Sequence, residues 1–92
     1  MREPKRSAYA RGYTKEWDRK SKAFRRTYPL CGMRPHGRQP VMSQCWDQGR
    51  TTAATCTDHV TPHRGDKVLF NSIENWQALC GECHTRKTNA GY

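Results

Sequence analysis

The pair Cys80-x-x-Cys83 limits this chain more than any other feature, because two thiols spaced by two residues across a tight turn can both reach one tetrahedral ion. The chain has 92 residues, of which 34% are hydrophobic, too few to build a large apolar core. Chains of this size take part of their stability from metals, disulfides or assembly. Cys31, Cys45, Cys56, Cys80 and Cys83 are available for that purpose, and an odd number of cysteines fits four ligands and one spare. No apolar run approaches a membrane span. The start, Met1-Arg2-Glu3-Pro4-Lys5-Arg6, is charged with no apolar segment after it, so no secretory signal is expected. The expected compartment is therefore the reducing cytoplasm, where thiols hold metals more often than they pair.

Charge narrows the partners. Of the formal +9, residues 1–28 hold a net +7 and residues 29–92 a net +2. A basic arm of this kind suits a polyanion, and each phosphate it neutralises adds salt-dependent affinity. A solvated leader is the plainer reading of charge alone; the aromatics interleaved with it favour nucleic acid. Residues 1–13, with Pro4, Gly12 and no apolar period, are expected to form a flexible basic tail. From Thr14 the pattern becomes helical over 14–28. Thr14 is a good N-cap, Glu16 and Asp18 sit in the first turn, Arg25 and Arg26 in the last, and Pro29 stops the helix. Trp17, Ser21, Phe24 and Tyr28 share one face, expected to pack inward against a zinc-bound module rather than to stack on bases.

Residues 30–53, rich in Gly, Pro, Gln, Ser and Thr, read as a loop held at Cys31 and Cys45. A short strand is expected over 54–60, a loop from Thr61 to Ser72 with Val68-Leu69-Phe70 covering the core, a return strand over Trp76-Gln77-Ala78-Leu79, and a helix from Gly81 to Asn89.

The order Asp58-His59, then Asn75, then Cys80-x-x-Cys83-His84 followed by Lys87-Thr88, resembles the HNH endonucleases, in particular the small ones of phages and prophages. Arg11-Gly12-Tyr13 ahead of Trp17, and Tyr28-Pro29-Leu30-Cys31, look like the same group. The resemblance implies an α+β fold, the small zinc-stabilised ββα-metal (His-Me finger) fold, with the amphipathic helix in front of it. The nuclease domain would run over residues 14–92 and its ββα core over 54–90. In that family the upstream half of the zinc site is usually a second C-x-x-C, but here Arg34 stands where a cysteine would. Cys45 restores the family register toward Asp58. Cys31 and Cys45 are thus read as the partners of Cys80 and Cys83, with an inserted loop between them and His36 as a substitute for Cys31. Cys56, the spare, is expected to be a buried small hydrophobe.

The same resemblance gives His59 the role of general base, makes Asp58 and His84 ligands of a catalytic divalent ion, and has Asn75 brace the loop that orients His59. One carboxylate and one imidazole leave a coordination sphere open to water and phosphate, which suits magnesium, manganese or nickel. An imidazole with an ordinary pKa near 6.5 can act as a base near neutrality. Strict alternation would send Asp58 and His59 to opposite faces of a flat strand, so both serve one site only if the strand ends or twists there. His63, Arg86 and Lys87 are candidate phosphate contacts, a solvated helix face being the plainer reading of the last two. The expected activity is metal-dependent cleavage of DNA phosphodiester bonds, and the resemblance adds a phage packaging terminase as a partner. Two other readings compete. A non-catalytic zinc module binding DNA or protein would use the same charge and cysteines, but has no need of Asp58, His59 and His84. Attachment of a c-type haem to Cys80-x-x-Cys83-His84 would leave Cys31 and Cys45 without a role.

Overall fold

The structure, a computed structural model, describes residues 14–91; the tail expected over residues 1–13 lies outside them, as does Tyr92. Helix α1 spans Lys15–Thr27. Its N-cap is Thr14, whose hydroxyl accepts from the Trp17 N–H at 3.3 Å, an interaction worth about 1 kcal/mol. Pairs Glu16–Lys20 and Asp18–Lys22 line its exposed side one turn apart, where each contributes only a few tenths of a kcal/mol.

Strands β1 (Cys56–His59) and β2 (Trp76–Leu79) form an antiparallel pair in which Cys56 faces Leu79, Thr57 faces Ala78, Asp58 faces Gln77 and His59 faces Trp76. Residues directly opposite in such a pair point to the same side, so the hairpin has two distinct faces. One carries Thr57, His59, Trp76 and Ala78, and α1 covers it: Phe24 packs on Trp76 and Ala78, with Trp17, Tyr28 and Ala54 around them. Ser21 joins α1 to β1 through a 2.7 Å bond to Thr57 Oγ1. The other face carries Leu79, which packs among Cys31, Cys45, Cys80 and Cys83. Helix α1 thus lies across the sheet from the cysteines, not against them as the sequence suggested. Its aromatic face packs on Trp76 instead.

Two segments expected as loops contain short helices. Helix α2 (Gln44–Asp47) is capped by Ser43, which accepts from Trp46 N–H, and a 3₁₀ turn covers Pro35–Gly37. Helix α3 (Lys67–Asn71) is capped by Asp66, which accepts from the Val68 and Leu69 N–H groups. Helices of four or five residues are too short to show a period, and only their caps betray them. Within α3 only Phe70 turns inward; Val68 is 78% exposed. A second 3₁₀ turn, Ile73–Asn75, leads into β2, and α4 (Gly81–Asn89) closes the ββα arrangement. No helix of the described residues is long and apolar enough to cross a membrane.

Candidate active site

The four sulfurs of Cys31, Cys45, Cys80 and Cys83 lie within 4.8 Å of one another, and all four residues are buried. Cys45 Sγ is 3.9 Å from both Cys80 Sγ and Cys83 Sγ, close to the separation of about 3.8 Å between sulfurs set tetrahedrally around zinc. The donor set fits zinc. Burial pushes the Cys31 thiol up to about 12. Burial also raises Cys83, but hydrogen bonds from the Cys45 and Gln44 backbone and the Cys80 thiol bring it down to about 6. Burial opposes ionisation of Cys31 and Cys80, and a divalent ion supplies the positive charge that favours their thiolates. His36 lies elsewhere, exposed and bonded to Glu74 at 2.9 Å. Gly32 makes the turn after Cys31 possible: its φ is +99°, and a Cβ there would meet Trp46 Cβ at 2.7 Å.

Beside this cluster, Cys56, Asp58, His59, His63, Arg64, His84 and Lys87 line one open cleft. Asp58 and His59 do point to opposite faces of β1, as alternation requires. They share the cleft because β1 ends at His59 and leaves both side chains at its rim. Asp58 Oδ1 faces His84 Nε2 on α4 at 3.6 Å. Its other oxygen, Oδ2, accepts from Gln77 Nε2 at 2.9 Å and lies 3.2 Å from the Lys87 ammonium.

His59 is buried among rings. Trp17 stacks on it with centroids 5.1 Å apart, Phe70 lies at 5.0 Å, and His63 meets it edge-on at 4.9 Å. Its Nε2 is 3.0 Å from the Phe70 carbonyl. A carbonyl can only accept, so Nε2 carries the proton and the neutral ring keeps a lone pair on Nδ1. Burial holds the His59 pKa below its usual 6.5, with the charges of His63 and Lys87 acting in the same direction against the Phe70 bond and Asp58.

Trp76 Nε1 holds the Phe70 carbonyl directly, at 2.9 Å, and Asn75 braces the residue before it. The Asn75 amide donates to Thr61 O at 2.9 Å and Leu69 O at 3.1 Å, and its Oδ1 accepts from Thr61 N–H at 2.9 Å. One side chain thus ties the start of the loop after β1 to α3.

The remaining candidates separate. His63 lies in the cleft; its Nδ1 accepts from Gly65 N–H at 3.2 Å. Arg86 leans outward over the cysteines, its guanidinium 3.7 Å from Cys83 Sγ. Lys87 departs from the expected solvent-facing phosphate contact. It is 3% exposed, and its ammonium donates to His59 O at 3.0 Å besides meeting Asp58. Coming three residues after His84 and four after Cys83, it lies on the side of α4 turned to β1. Cys56 is half-buried at the cleft wall rather than sunk in the core. Reading the sequence did not single out Gln77 or Arg64; an isolated Gln in a strand and one Arg among many basic residues carry no spacing signal.

The profile of the HNH endonuclease family matches residues 43–90. The chain belongs to the HNH endonuclease family. The match holds Asp58, His59, Asn75, His84 and three of the four cysteines; Cys31 comes from outside it. The chain is also similar to the HNH endonuclease of the deep-sea thermophilic bacteriophage GVE2, seen in a crystal structure with manganese ion. The two share 31% identity and a TM-score of 0.62, over 90% of this chain and 79% of that one. Comparison with curated proteins gives no match.

Proposed function

We propose that this HNH endonuclease cuts DNA with a divalent ion held by Asp58 and His84 and with His59 as the general base, residues 14–92 acting as one nuclease domain. The observation that carries the reading is the facing pair Asp58 Oδ1 and His84 Nε2, 3.6 Å apart at the mouth of a cleft that also holds His59. That separation is too long for a good hydrogen bond and short enough for one ion to touch both atoms. A carboxylate and an imidazole suit magnesium, manganese or nickel, and the phage GVE2 enzyme was crystallised with manganese. When bound, such an ion supplies charge stabilisation to the phosphate and to the departing alkoxide.

The chain's own residues supply the rest. With Nε2 committed to the Phe70 carbonyl, His59 takes the proton of the attacking water on Nδ1. Asn75 braces α3, which presents that carbonyl, through Leu69 O. His63 and Arg64, at the rim, are placed to meet phosphate oxygens. A zinc-only binding module has no use for a second, open ligand pair. Resemblance to phage HNH proteins extends the proposal to work beside a packaging terminase in the host cytoplasm, which co-purification with the phage's own terminase subunits tests.

The nuclease reading is tested by cleavage of supercoiled plasmid with magnesium, manganese or nickel. Asp58→Asn and His84→Ala are each expected to abolish cleavage while keeping the zinc content of the wild type. Full cleavage by both variants would overturn the assignment.

A further inference from the structure

Gln77 is among the buried polar side chains of the described residues that the mechanism leaves unused. It has no exposed surface, in the middle of β2 and directly across from Asp58. A buried primary amide is costly unless each end is satisfied, and here three bonds satisfy it. Nε2 donates to Asp58 Oδ2 at 2.9 Å and to Val41 O at 3.0 Å, while Oε1 accepts from Val41 N–H at 2.8 Å. Val41 therefore reads the amide at both ends. If the amide were reversed, its oxygen would face a carbonyl and a carboxylate, and its NH₂ would face an N–H. The backbone of Val41 thus fixes which end of Gln77 meets Asp58, and only the donor end can hold the Asp58 carboxylate oxygen.

Val41 belongs to the segment that stands between Cys31 and Cys45. That segment is moored a second time at Glu74: Arg34 donates to its carbonyl at 2.9 Å, and His36 lies 2.9 Å from its carboxylate. Both moorings sit on the run that carries Asn75 and β2. The two moorings bracket Asn75, so one inserted segment grips the chain on either side of it.

We propose that Gln77 is a positioning residue for the catalytic ion, and that the inserted segment sets it through Val41. Gln77 and Lys87 both hold Oδ2 of Asp58, and so turn Oδ1 toward His84 for the ion. This rests on the reading of Asp58 and His84 as metal ligands. Groups that orient a ligand in this way typically change metal affinity by about 10- to 100-fold when removed.

The test is manganese binding to the zinc-loaded chain, followed by the electron paramagnetic resonance signal of free Mn²⁺, with zinc content and thermal unfolding measured on each variant. Gln77→Met keeps the volume and removes the amide. It is expected to weaken Mn²⁺ binding by about 10-fold or more at unchanged zinc content. Val41→Pro removes the N–H that Oε1 accepts and fixes φ at that position, without touching Asp58 or His84 themselves. It is expected to weaken binding by a smaller factor, still several-fold, and it decides the matter if Gln77→Met does not fold. Binding within twofold of wild type in whichever of these variants retains zinc would overturn the proposal. Asp58→Asn separates the two levels. If Asp58→Asn abolishes Mn²⁺ binding and the other variants bind normally, positioning by Gln77 fails alone; if Asp58→Asn binds normally, the metal-site reading has failed with it.

Discussion

Trp17 lies nearly parallel to His59, with ring centroids 5.1 Å apart and planes 17° apart. The first helix therefore does more than complete the core: its indole is a wall of the pocket that keeps the imidazole from water. Burial is the main cause of the depressed His59 pKa, so the folded protein binds that proton less readily than the unfolded chain does. The contribution to stability is full above the unfolded value of 6.5 and is lost as pH falls through 6.5 toward the folded pKa. If His59 is the base, as proposed, it must be neutral to act, and the acid limb of the kcat/KM profile is expected below 6.5. Trp17→Leu, which keeps apolar packing but opens the ring face, is expected to move that limb toward 6.5. A limb that does not move would mean that the indole is not what dries the site.

In the proposed mechanism Asn75 acts at one remove, by tying the loop after β1 to α3, whose Phe70 carbonyl holds His59. Asn75→Ala removes the partner of the Thr61 N–H and of the Thr61 and Leu69 carbonyls, at a net cost of about 0.5–1.5 kcal/mol per bond at most, since water can reach the exposed ones. We expect kcat to fall on the order of 10- to 100-fold, as small misplacements of a catalytic group do. Zinc content is expected to stay at the wild-type level, since Asn75 touches none of the four cysteines. Loss of zinc together with activity would make Asn75 a general stability residue instead.

Removal of zinc tests the cysteine cluster. A structural zinc contributes about 10 kcal/mol or more to small metal-bound folds, comparable with the whole stability of a typical domain, roughly 5–15 kcal/mol. A strong chelator is expected to abolish cooperative thermal unfolding. Cys31→Ser is expected to lower zinc affinity sharply, whereas His36→Ala, at an exposed site bonded to Glu74, is expected to leave it unchanged. Metal analysis after dialysis reads both.

Much of this was legible in the chain. Thr14, the acids behind it and Pro29 bounded α1 to within a residue, because caps and breakers act locally. Cys80-x-x-Cys83 and the apolar run before it fixed β2 and α4 for the same reason. What escaped depends on contacts distant in sequence. That Cys31 rather than His36 joins the cluster is decided by how the segment between Cys31 and Cys45 folds back on β2. Lys87 looked like a surface cation because basic residues on a short helix usually are; its burial follows from the Asp58 carboxylate and His59 carbonyl waiting for it. Gln77 has no local signature at all, since its three bonds run to residues 19 and 36 positions away.

The most direct test of the central claim compares wild type and His59→Ala in cleavage of supercoiled plasmid with manganese at low salt, after both are shown to hold equal zinc. The account predicts nicked or linear product from the wild type and a rate lower by about 10²- to 10⁴-fold from His59→Ala, the usual contribution of a positioned base. Equal rates from the two proteins would contradict it.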